Sequence, residues 1–280
     1  MDIRAALREA SIVVEQHGVK HLFIGSEDVR FIAYDADLTV RRVEIIALQE
    51  KICPFRYARH VKLIDFEGQI RLLQSRVALV GLGGLGGFIL EMLLRLGVGR
   101  ITVVDGDRFD ETNLNRQLLA TYSSIGRPKT DAALERVVLV NPTVEFTAFN
   151  ERLTESNAQV ILGYCDLAFD ALDRISDRFI LQHACRALGI PMLHAAVEGW
   201  TGQAASIFPN GPGIEQLYGE ESEAVKTDTD LVDTAVTSPI IMAAFQVSEA
   251  VRILTGGHPG RPRLFLCDLE AMVLKLAGLR

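Results

Sequence analysis

The fold is decided by the stretch VALVGLGGLGGFILEMLLRLGVGRITVVD, which runs from Val77 to Asp105. Its apolar start predicts a buried strand, the apolar spacing over 84–96 predicts a helix, and ITVVD predicts a second strand. Gly81, Gly83 and Gly86 have the G-x-G-x-x-G spacing at the strand-to-helix turn. Backbone N–H groups at such a helix start can approach phosphate oxygens, so the order of strand, glycines and helix favours a phosphate-binding turn over one that binds nothing.

Asp105, the last residue of this stretch, is the predicted partner of the glycine turn. It follows the glycines by about 20 residues, where a carboxylate can accept hydrogen bonds from ribose hydroxyls. Gly84 belongs to the same turn, as the first residue of the predicted helix. Together these residues predict an adenine nucleotide site and do not choose between NAD and ATP.

Three polar residues beyond Asp105 favour ATP. The segments DGDRFDETNLNRQ and GRPK contain Asn113, Arg116 and Lys129 and lie near the predicted carboxyl edge of the sheet. Cleavage of a triphosphate needs cations and hydrogen-bond donors aimed at phosphate oxygens, whereas hydride transfer needs a buried neutral ring. A nicotinamide dehydrogenase is therefore the least supported alternative.

Outward from this unit, strands and helices continue to alternate. We expect helices over 128–139, near 155–162, from Ile175 onward and over 240–254, and strands at VEFTAF, LAFD, PMLHAAV, QAASIF and RLFLCD, the last completing the sheet. This order predicts an α/β, Rossmann-like, doubly wound and mostly parallel sheet, with the nucleotide at the carboxyl ends of its strands.

Two parts of the chain depart from this alternation. We predict that residues 1–50 form a small N-terminal α+β extension of unknown role, with a helical pattern from Ile3 to Val14 followed by strand-like runs HLFIG and VRFIAY. We predict that residues 51–280 form one ATP-binding domain, interrupted by a non-periodic loop over about 209–237. A loop this long inside a compact domain usually has a function or is disordered.

Composition excludes several classes of protein. The chain carries 29 basic and 36 acidic side chains, a net charge of −7 that makes nucleic acid an improbable partner. The longest strongly apolar run, over 77–90, has 14 residues, fewer than the roughly 18 that indicate a membrane span. MDIRAALREA lacks the apolar stretch of a signal peptide, so we expect a cytoplasmic protein whose four dispersed cysteines are reduced.

Several motifs in order resemble one family. RYARHVKL, GLGGLG, VVDGDRFDETNLNRQ, GRPK, AFDALDRISDR and EAVRILTG resemble the ATP-dependent adenylyltransferases related to ubiquitin-activating enzymes, including the ThiF, MoeB and HesA proteins that activate sulfur carriers. The resemblance implies a homodimer that uses ATP and Mg²⁺ to convert the C-terminal Gly-Gly carboxylate of a small ubiquitin-like sulfur carrier into an acyl-adenylate, releasing pyrophosphate.

The resemblance also implies roles for individual residues. Arg59 of RYAR would act in trans in the partner subunit's site, and Asp105 would bind the ribose. Asn113 and Arg116 would contact the polyphosphate, and Lys129 would be the cation on the phosphates.

The acidic residues of FDALD complete this assignment. Asp173 would hold Mg²⁺, which binds one or two carboxylates together with phosphate oxygens. It could also cap the helix that begins near Ile175. Asp107 and Asp170 are the neighbouring carboxylates. A carboxylate substrate is already ionised at neutral pH, so the chemistry requires alignment and charge stabilisation without a histidine base.

The sequence departs from the family pattern at three places. Many relatives hold a structural Zn²⁺ on two Cys-x-x-Cys pairs, both missing here, so we expect no zinc. The stretch 222–237 has no cysteine for a thioester, and Cys185 has the pattern of a core side chain. Arg174 follows Asp173, where relatives often have Asn, and it could add a phosphate contact or disturb Mg²⁺ binding.

Three alternatives to sulfur-carrier activation remain at this stage. The acyl substrate could be a peptide, or it could be a carboxylate on a modified tRNA. The chain could instead be a non-catalytic scaffold that binds the nucleotide without turnover. The sequence does not identify the carrier or the pathway it serves.

Overall fold

The computed structural model describes residues 2–16, 19–224, 233–257 and 263–278. Within those ranges, no helix is both long and apolar enough to cross a membrane.

The N-terminal residues form a small α+β unit with a three-stranded sheet. Its elements are α1 (Ile3–Ala10), β1 (Ile12–Gln16), β2 (Val19–Ile24), α2 (Ser26–Asp35), α3 (Val40–Gln49) and β3 (Ile52–Pro54). β1 and β2 pair antiparallel, and β3 joins β2 in parallel. Leu7, Ile24, Ile32 and Val43 form its buried core, and Arg41 ties it to the large sheet by donating to the carbonyl of Gly99 at 2.6 Å.

Two N-terminal predictions are wrong. The run VRFIAY lies in α2 and not in a strand, since Val29, Ile32 and Ala33 are buried at helical spacing while Phe31 and Tyr34 face solvent. The helical pattern does not reach Val14, which lies in β1. Helix α1 ends at Ala10, and Ser11 has extended backbone angles.

An eight-stranded sheet forms the centre of the remaining chain, in the order β11-β10-β9-β8-β7-β4-β5-β6. Its strands are β4 (Arg76–Val80), β5 (Arg100–Val104), β6 (Glu145–Phe149), β7 (Leu167–Asp170), β8 (Met192–Glu198), β9 (Thr201–Ile207), β10 (Arg263–Asp268) and β11 (Val273–Gly278). The five strands from β8 to β6 are parallel, and β9 to β11 extend the sheet antiparallel. The predicted mostly parallel, doubly wound α/β fold is confirmed.

Helices cover both faces of the large sheet. They are α4 (Val61–Gln74), α5 (Gly84–Leu96), α6 (Lys129–Val140), α7 (Glu155–Leu162), α8 (Ile175–Leu188), α9 (Glu215–Tyr218), α10 (Glu221–Ala224) and α11 (Thr237–Leu254). Along β4, Val77 and Leu79 pack with α5 and α11, whereas Ala78 and Val80 face the side covered by α7 and α8. This two-sided burial explains why β4 reads as a continuous apolar run.

The C-terminal region extends beyond the prediction. RLFLCD forms β10 but does not complete the sheet, because β11 follows it and pairs antiparallel along its length. The edge strand β11 carries the exposed Leu274 and Leu276, so burial periodicity gave no signal for it. In the predicted 209–237 loop, the short helices α9 and α10 form, and residues 225–232 lie outside the described ranges.

Candidate functional site

The glycine turn between β4 and α5 has two different kinds of glycine. Gly81 has φ +97°, and a Cβ there would lie 2.4 Å from the carbonyl oxygen of Ala171. A Cβ on Gly86 would lie 2.0 Å from the carbonyl oxygen of Gly81. A Cβ on Gly83 would meet no protein atom nearer than Gln117 Nε2, at 3.8 Å. Gly81 and Gly86 are thus required by packing, whereas Gly83 leaves space on the side where a ligand would approach.

A cavity of about 340 Å³ opens at this turn, at the carboxyl ends of β4, β5 and β7. The predicted site residues that line it are Gly81, Gly83, Gly84, Asp105, Asp107, Arg116, Lys129 and Asp173. This is the edge of a doubly wound sheet where neighbouring connections diverge and ligands bind. The structure therefore brings most of the predicted residues to one cavity.

Asp105 is fixed at the floor of this cavity by backbone donors. The N–H of Leu82 donates to its Oδ2 at 2.6 Å, and the N–H of Asp107 donates to its Oδ1 at 2.8 Å. Burial raises the pKa of Asp105, and the charge of Lys129 opposes that increase. The carboxylate thus holds the glycine turn in place and has further acceptor lone pairs for a ribose.

Lys129 lies at the first turn of α6 and is buried. Its Nζ donates to Asp107 Oδ2 at 3.0 Å and is 3.8 Å from Asp105 Oδ2. The backbone N–H of Lys129 also donates to the carbonyl of Asp107, at 3.0 Å. The ammonium is therefore held beside the glycine turn at a position from which a phosphate could compete with Asp107 for it.

The segment that contains Asn113 and Arg116 forms one turn of 3₁₀ helix, Glu111–Asn113, and its continuation. Arg116 lines the cavity, and its guanidinium donates to the carbonyl of Thr112 at 2.9 Å. Asn113 does not line the cavity. Its Oδ1 accepts from the N–H of Asp110 at 3.1 Å and caps the turn. In this conformation Asn113 shapes the loop that presents Arg116.

Asp173 lies between β7 and α8 and lines the 340 Å³ cavity at the glycine turn, which we call the nucleotide-side cavity. The N-cap of α8 is Arg174, so Asp173 does not occupy the capping position. Arg174 and Asp177 line the same cavity. Arg174 thus contributes a positive charge beside Asp173.

A second cavity, of about 910 Å³, adjoins the first one. Asp173, Arg178 and Val197 line both. The second cavity is bounded by the antiparallel strands β9 to β11 and by Tyr218 from α9. A substrate in it could reach the nucleotide-side cavity past Asp173. No sequence pattern indicates this cavity, because its walls come from segments far apart in the chain.

Sequence reasoning also missed a buried polar cluster beneath both cavities. Asp170 and His194 are fully buried and joined by a 2.7 Å contact between Oδ2 and Nδ1. His194 Nε2 lies 3.3 Å from the hydroxyl of Tyr218, which also accepts from Arg178. The available signal was His194 itself, a polar residue inside the apolar strand PMLHAAV.

Arg59 lies outside the cavities, just beyond the 3₁₀ helix Phe55–Tyr57. It is exposed, and its side chain makes no hydrogen bond or ion pair with any residue of the described ranges. Arg59 is therefore not among the residues that line the nucleotide-side cavity of its own chain.

No group of three or more His, Cys, Asp or Glu side chains in the described ranges could hold a metal ion. A cation at Asp173 would thus need ligands from the nucleotide, as Mg²⁺ accepts from phosphates. The donor set of the cavity fits that ion, because it offers a carboxylate without thiol or imidazole ligands beside it.

The cysteines have the environment of unreactive thiols. Burial raises the pKa of Cys53 and of Cys165 to about 11 and that of Cys185 to about 12. Thiolates are the reactive form of cysteine. None of these three is therefore prepared for thioester chemistry in this conformation.

Comparison with known proteins identifies the family of this chain and a solved structure with the same fold. A family model described as the ThiF family matches residues 57–277. A SAMP-activating enzyme E1 of Haloferax volcanii is 36% identical over 230 residues, 80% of this chain and 85% of that protein. A sulfur carrier protein adenylyltransferase of Thermus thermophilus is 36% identical over 234 residues, 79% and 86% of the two chains. The crystal structure of PaaA has the same fold, with a TM-score of 0.69 at 22% identity over 80% of this chain and 82% of that one.

Proposed function

The chain belongs to the ThiF family, and from that premise we propose that it adenylates the C-terminal Gly-Gly carboxylate of a small ubiquitin-like sulfur-carrier protein. It is an adenylyltransferase that uses ATP and releases pyrophosphate. Both relatives at 36% identity have names that agree with activation of such carriers.

One observation carries this proposal: the nucleotide-side cavity and the larger cavity meet at Asp173. The first has the glycine turn, Asp105 and the cations Arg116 and Lys129, as a nucleotide requires. The second is large enough for an extended chain end without bulky side chains. A Gly-Gly tail in it would present its carboxylate to a nucleotide bound in the first.

The proposed reaction is a displacement at the α-phosphorus of ATP. A carboxylate oxygen of the tail attacks phosphorus, the bond from phosphorus to the bridging oxygen of the β-phosphate breaks, and pyrophosphate departs with the electron pair. No proton needs to be removed from the nucleophile. Lys129 and Arg116 stabilise the charge that spreads over the phosphate oxygens. The backbone turn at Gly83 orients the phosphate groups.

Mg²⁺ would neutralise phosphate charge when bound, and Asp173 is the residue that would hold it. In this scheme Asp105 binds the ribose, Asp107 releases Lys129 to the phosphates, and Asn113 keeps the loop of Arg116 in shape.

The active unit in this proposal is a homodimer in which Arg59 completes the partner's site. Two features support it: Arg59 is exposed, and its side chain makes no hydrogen bond or ion pair with the described residues of its own chain. A guanidinium supplied across a subunit interface can bind phosphate in a bidentate manner.

The test is carrier-dependent exchange of labelled pyrophosphate into ATP in the presence of Mg²⁺. Small ubiquitin-like proteins that end in Gly-Gly are compared with the same proteins lacking that tail. Exchange that requires the tail supports the proposal. No exchange with any carrier, although ATP binds, would overturn it and favour a peptide, a tRNA-linked carboxylate or a scaffold role.

A further inference from the structure

Arg178 and Tyr218 join the loop after β9 to the turn that carries Asp173. Arg178, at the start of α8, is 5% exposed and lines both cavities. One end of its guanidinium donates to the hydroxyl of Tyr218, and the other donates to the carbonyl of Leu172 at 2.6 Å. Leu172 directly precedes Asp173, so one side chain links the loop helix α9 to the peptide that sets the position of Asp173.

The donors and acceptors around Tyr218 can be assigned completely. Its hydroxyl accepts from Arg178 and from Gln203 Nε2, the latter at 3.1 Å. Both are obligatory donors at those atoms, so the phenolic proton points to His194 Nε2, 3.3 Å away. His194 then carries its own proton on Nδ1 and donates it to Asp170 Oδ2 at 2.7 Å.

The same cluster also holds the backbone N–H of Leu172. Asp170 Oδ1 accepts from the N–H of Leu172 at 3.0 Å, while Arg178 donates to its carbonyl. Burial acts to lower the pKa of Arg178, but Asp170, Tyr218 and Asp173 together raise it, so the guanidinium stays charged. The backbone N–H and carbonyl of Leu172, the residue before Asp173, are thus both held by groups that Tyr218 contacts, directly for Arg178 and through His194 for Asp170.

Helix α9 is itself anchored over the site. The N–H of Ile214 donates to Gln182 Oε1 at 2.6 Å, and Glu215 accepts from Gln182 and from Arg186, each at 2.9 Å. These contacts all reach α8, the helix that begins beside Asp173. The packing of α9 on α8 therefore places Tyr218 against Arg178 and His194.

We propose that Tyr218 is a positioning residue, which sets the Asp173 turn for a magnesium-bound nucleotide when α9 docks. The role rests on the proposed function for its nucleotide, and it concerns residues that act on Asp173 only through Arg178 and Asp170. A partner that orients a metal-binding carboxylate typically changes metal affinity by about 10- to 100-fold when it is removed.

The test measures nucleotide binding to the full chain without turnover. ATP is titrated into the protein by calorimetry, with Mg²⁺ and with a chelator, for the wild type, Tyr218→Phe and the control Tyr164→Phe, whose side chain is exposed. We expect Tyr218→Phe to bind ATP without Mg²⁺ as the wild type does and to lose about 10-fold of affinity with Mg²⁺. Tyr164→Phe should match the wild type under both conditions.

Several results would overturn the inference. They are unchanged binding of magnesium-ATP by Tyr218→Phe, a loss that is equal with and without Mg²⁺, and wild-type binding that does not depend on Mg²⁺. A second variant, Arg178→Lys, lacks the planar fork with which Arg178 donates to Tyr218 and Leu172 from separate nitrogens, and it should reproduce the loss. Adding Tyr218→Phe to it should lower the affinity by less than Tyr218→Phe does alone, because the two residues share the route through Arg178.

Failure of the proposed function can be distinguished from failure of the positioning role of Tyr218. Wild-type protein that binds magnesium-ATP and exchanges no pyrophosphate with any carrier contradicts carrier adenylation and leaves the binding comparison valid. Normal exchange together with unchanged binding by Tyr218→Phe contradicts the positioning role alone.

Discussion

The ammonium of Lys129 lies 3.0 Å from Asp107 Oδ2, although the two residues are 22 positions apart in the chain. Both line the nucleotide-side cavity, and Lys129 is 6% exposed. A buried cation that donates to the carboxylate of Asp107 and lies 3.8 Å from that of Asp105 can exchange the first partner for a phosphate oxygen without being desolvated again. We therefore expect the Lys129 ammonium to bind a phosphate of the nucleotide in place of Asp107.

Replacement of Lys129 by Ala should lower pyrophosphate exchange by about 100-fold or more, since removal of one preorganised donor from a charge-stabilising site has that effect. Exchange rates at saturating ATP provide the measurement. Lys20→Ala, at an exposed lysine of β2, is the matched control and should retain wild-type rates. Activity retained in Lys129→Ala would remove Lys129 from the proposed mechanism.

Two inactive variants should complement each other if Arg59 acts in trans. Arg59→Ala and Lys129→Ala, mixed in equal amounts and allowed to exchange subunits, form mixed dimers in half of the cases. Each mixed dimer has one site with both residues intact, so about a quarter of wild-type exchange should return. The variants must be inactive when assayed separately. A mixture that stays inactive after proven subunit exchange contradicts a shared site.

The two kinds of glycine in the turn should respond differently to alanine. Gly86→Ala places a Cβ against the Gly81 carbonyl and should lower the free energy of unfolding by about 3 kcal/mol. Gly83→Ala should unfold near the wild-type midpoint and bind ATP more weakly, because its methyl group occupies space beside the ligand. Denaturant unfolding and ATP titration separate the outcomes. A severely destabilised Gly83→Ala would contradict this assignment.

Stability should depend on the protonation of His194. Burial lowers the pKa of His194 below its ordinary 6.5, although the hydrogen bond that His194 donates to Asp170 opposes that change. The unfolded chain then takes up a proton near pH 6.5 that the folded chain resists, so the free energy of unfolding falls as the pH drops below 6.5.

Denaturant unfolding between pH 7.5 and 5.5 measures this effect against His194→Gln, which does not titrate. The slope for the wild type should exceed that of the variant by up to about 1.4 kcal/mol per pH unit. Equal slopes for the two proteins would show that His194 is not buried in the neutral form.

The predicted elements of the nucleotide-binding half agree closely with the structure. The helix over 84–96 and the strand LAFD have their predicted bounds, because glycines and charged residues delimit their apolar runs. The prediction failed for VRFIAY, where aromatic and β-branched residues favour a strand locally. Burial of Val29, Ile32 and Ala33 against α1 and α3 overrides that preference.

Most of the predicted site residues line one cavity, whereas Asn113 and Arg59 lie outside it. Asp105, Lys129 and Asp173 follow or precede elements whose ends meet at one sheet edge, so topology alone predicts their proximity. Asn113 was placed beside them, yet its amide caps its own turn. A motif identifies the loop, but the hydrogen bonds inside the loop decide which side chain points outward.

Sequence alone determined the family, the order of strands and helices from β4 to β9, and the residues around the glycine turn, because these depend on local periodicity and on motifs of fixed spacing. Only the tertiary structure revealed the second cavity and the cluster of Asp170, His194, Arg178 and Tyr218. Those residues come from β7, β8, α8 and α9. Their contact depends on how α9 docks on α8 and the sheet, and no spacing along the chain encodes that distance.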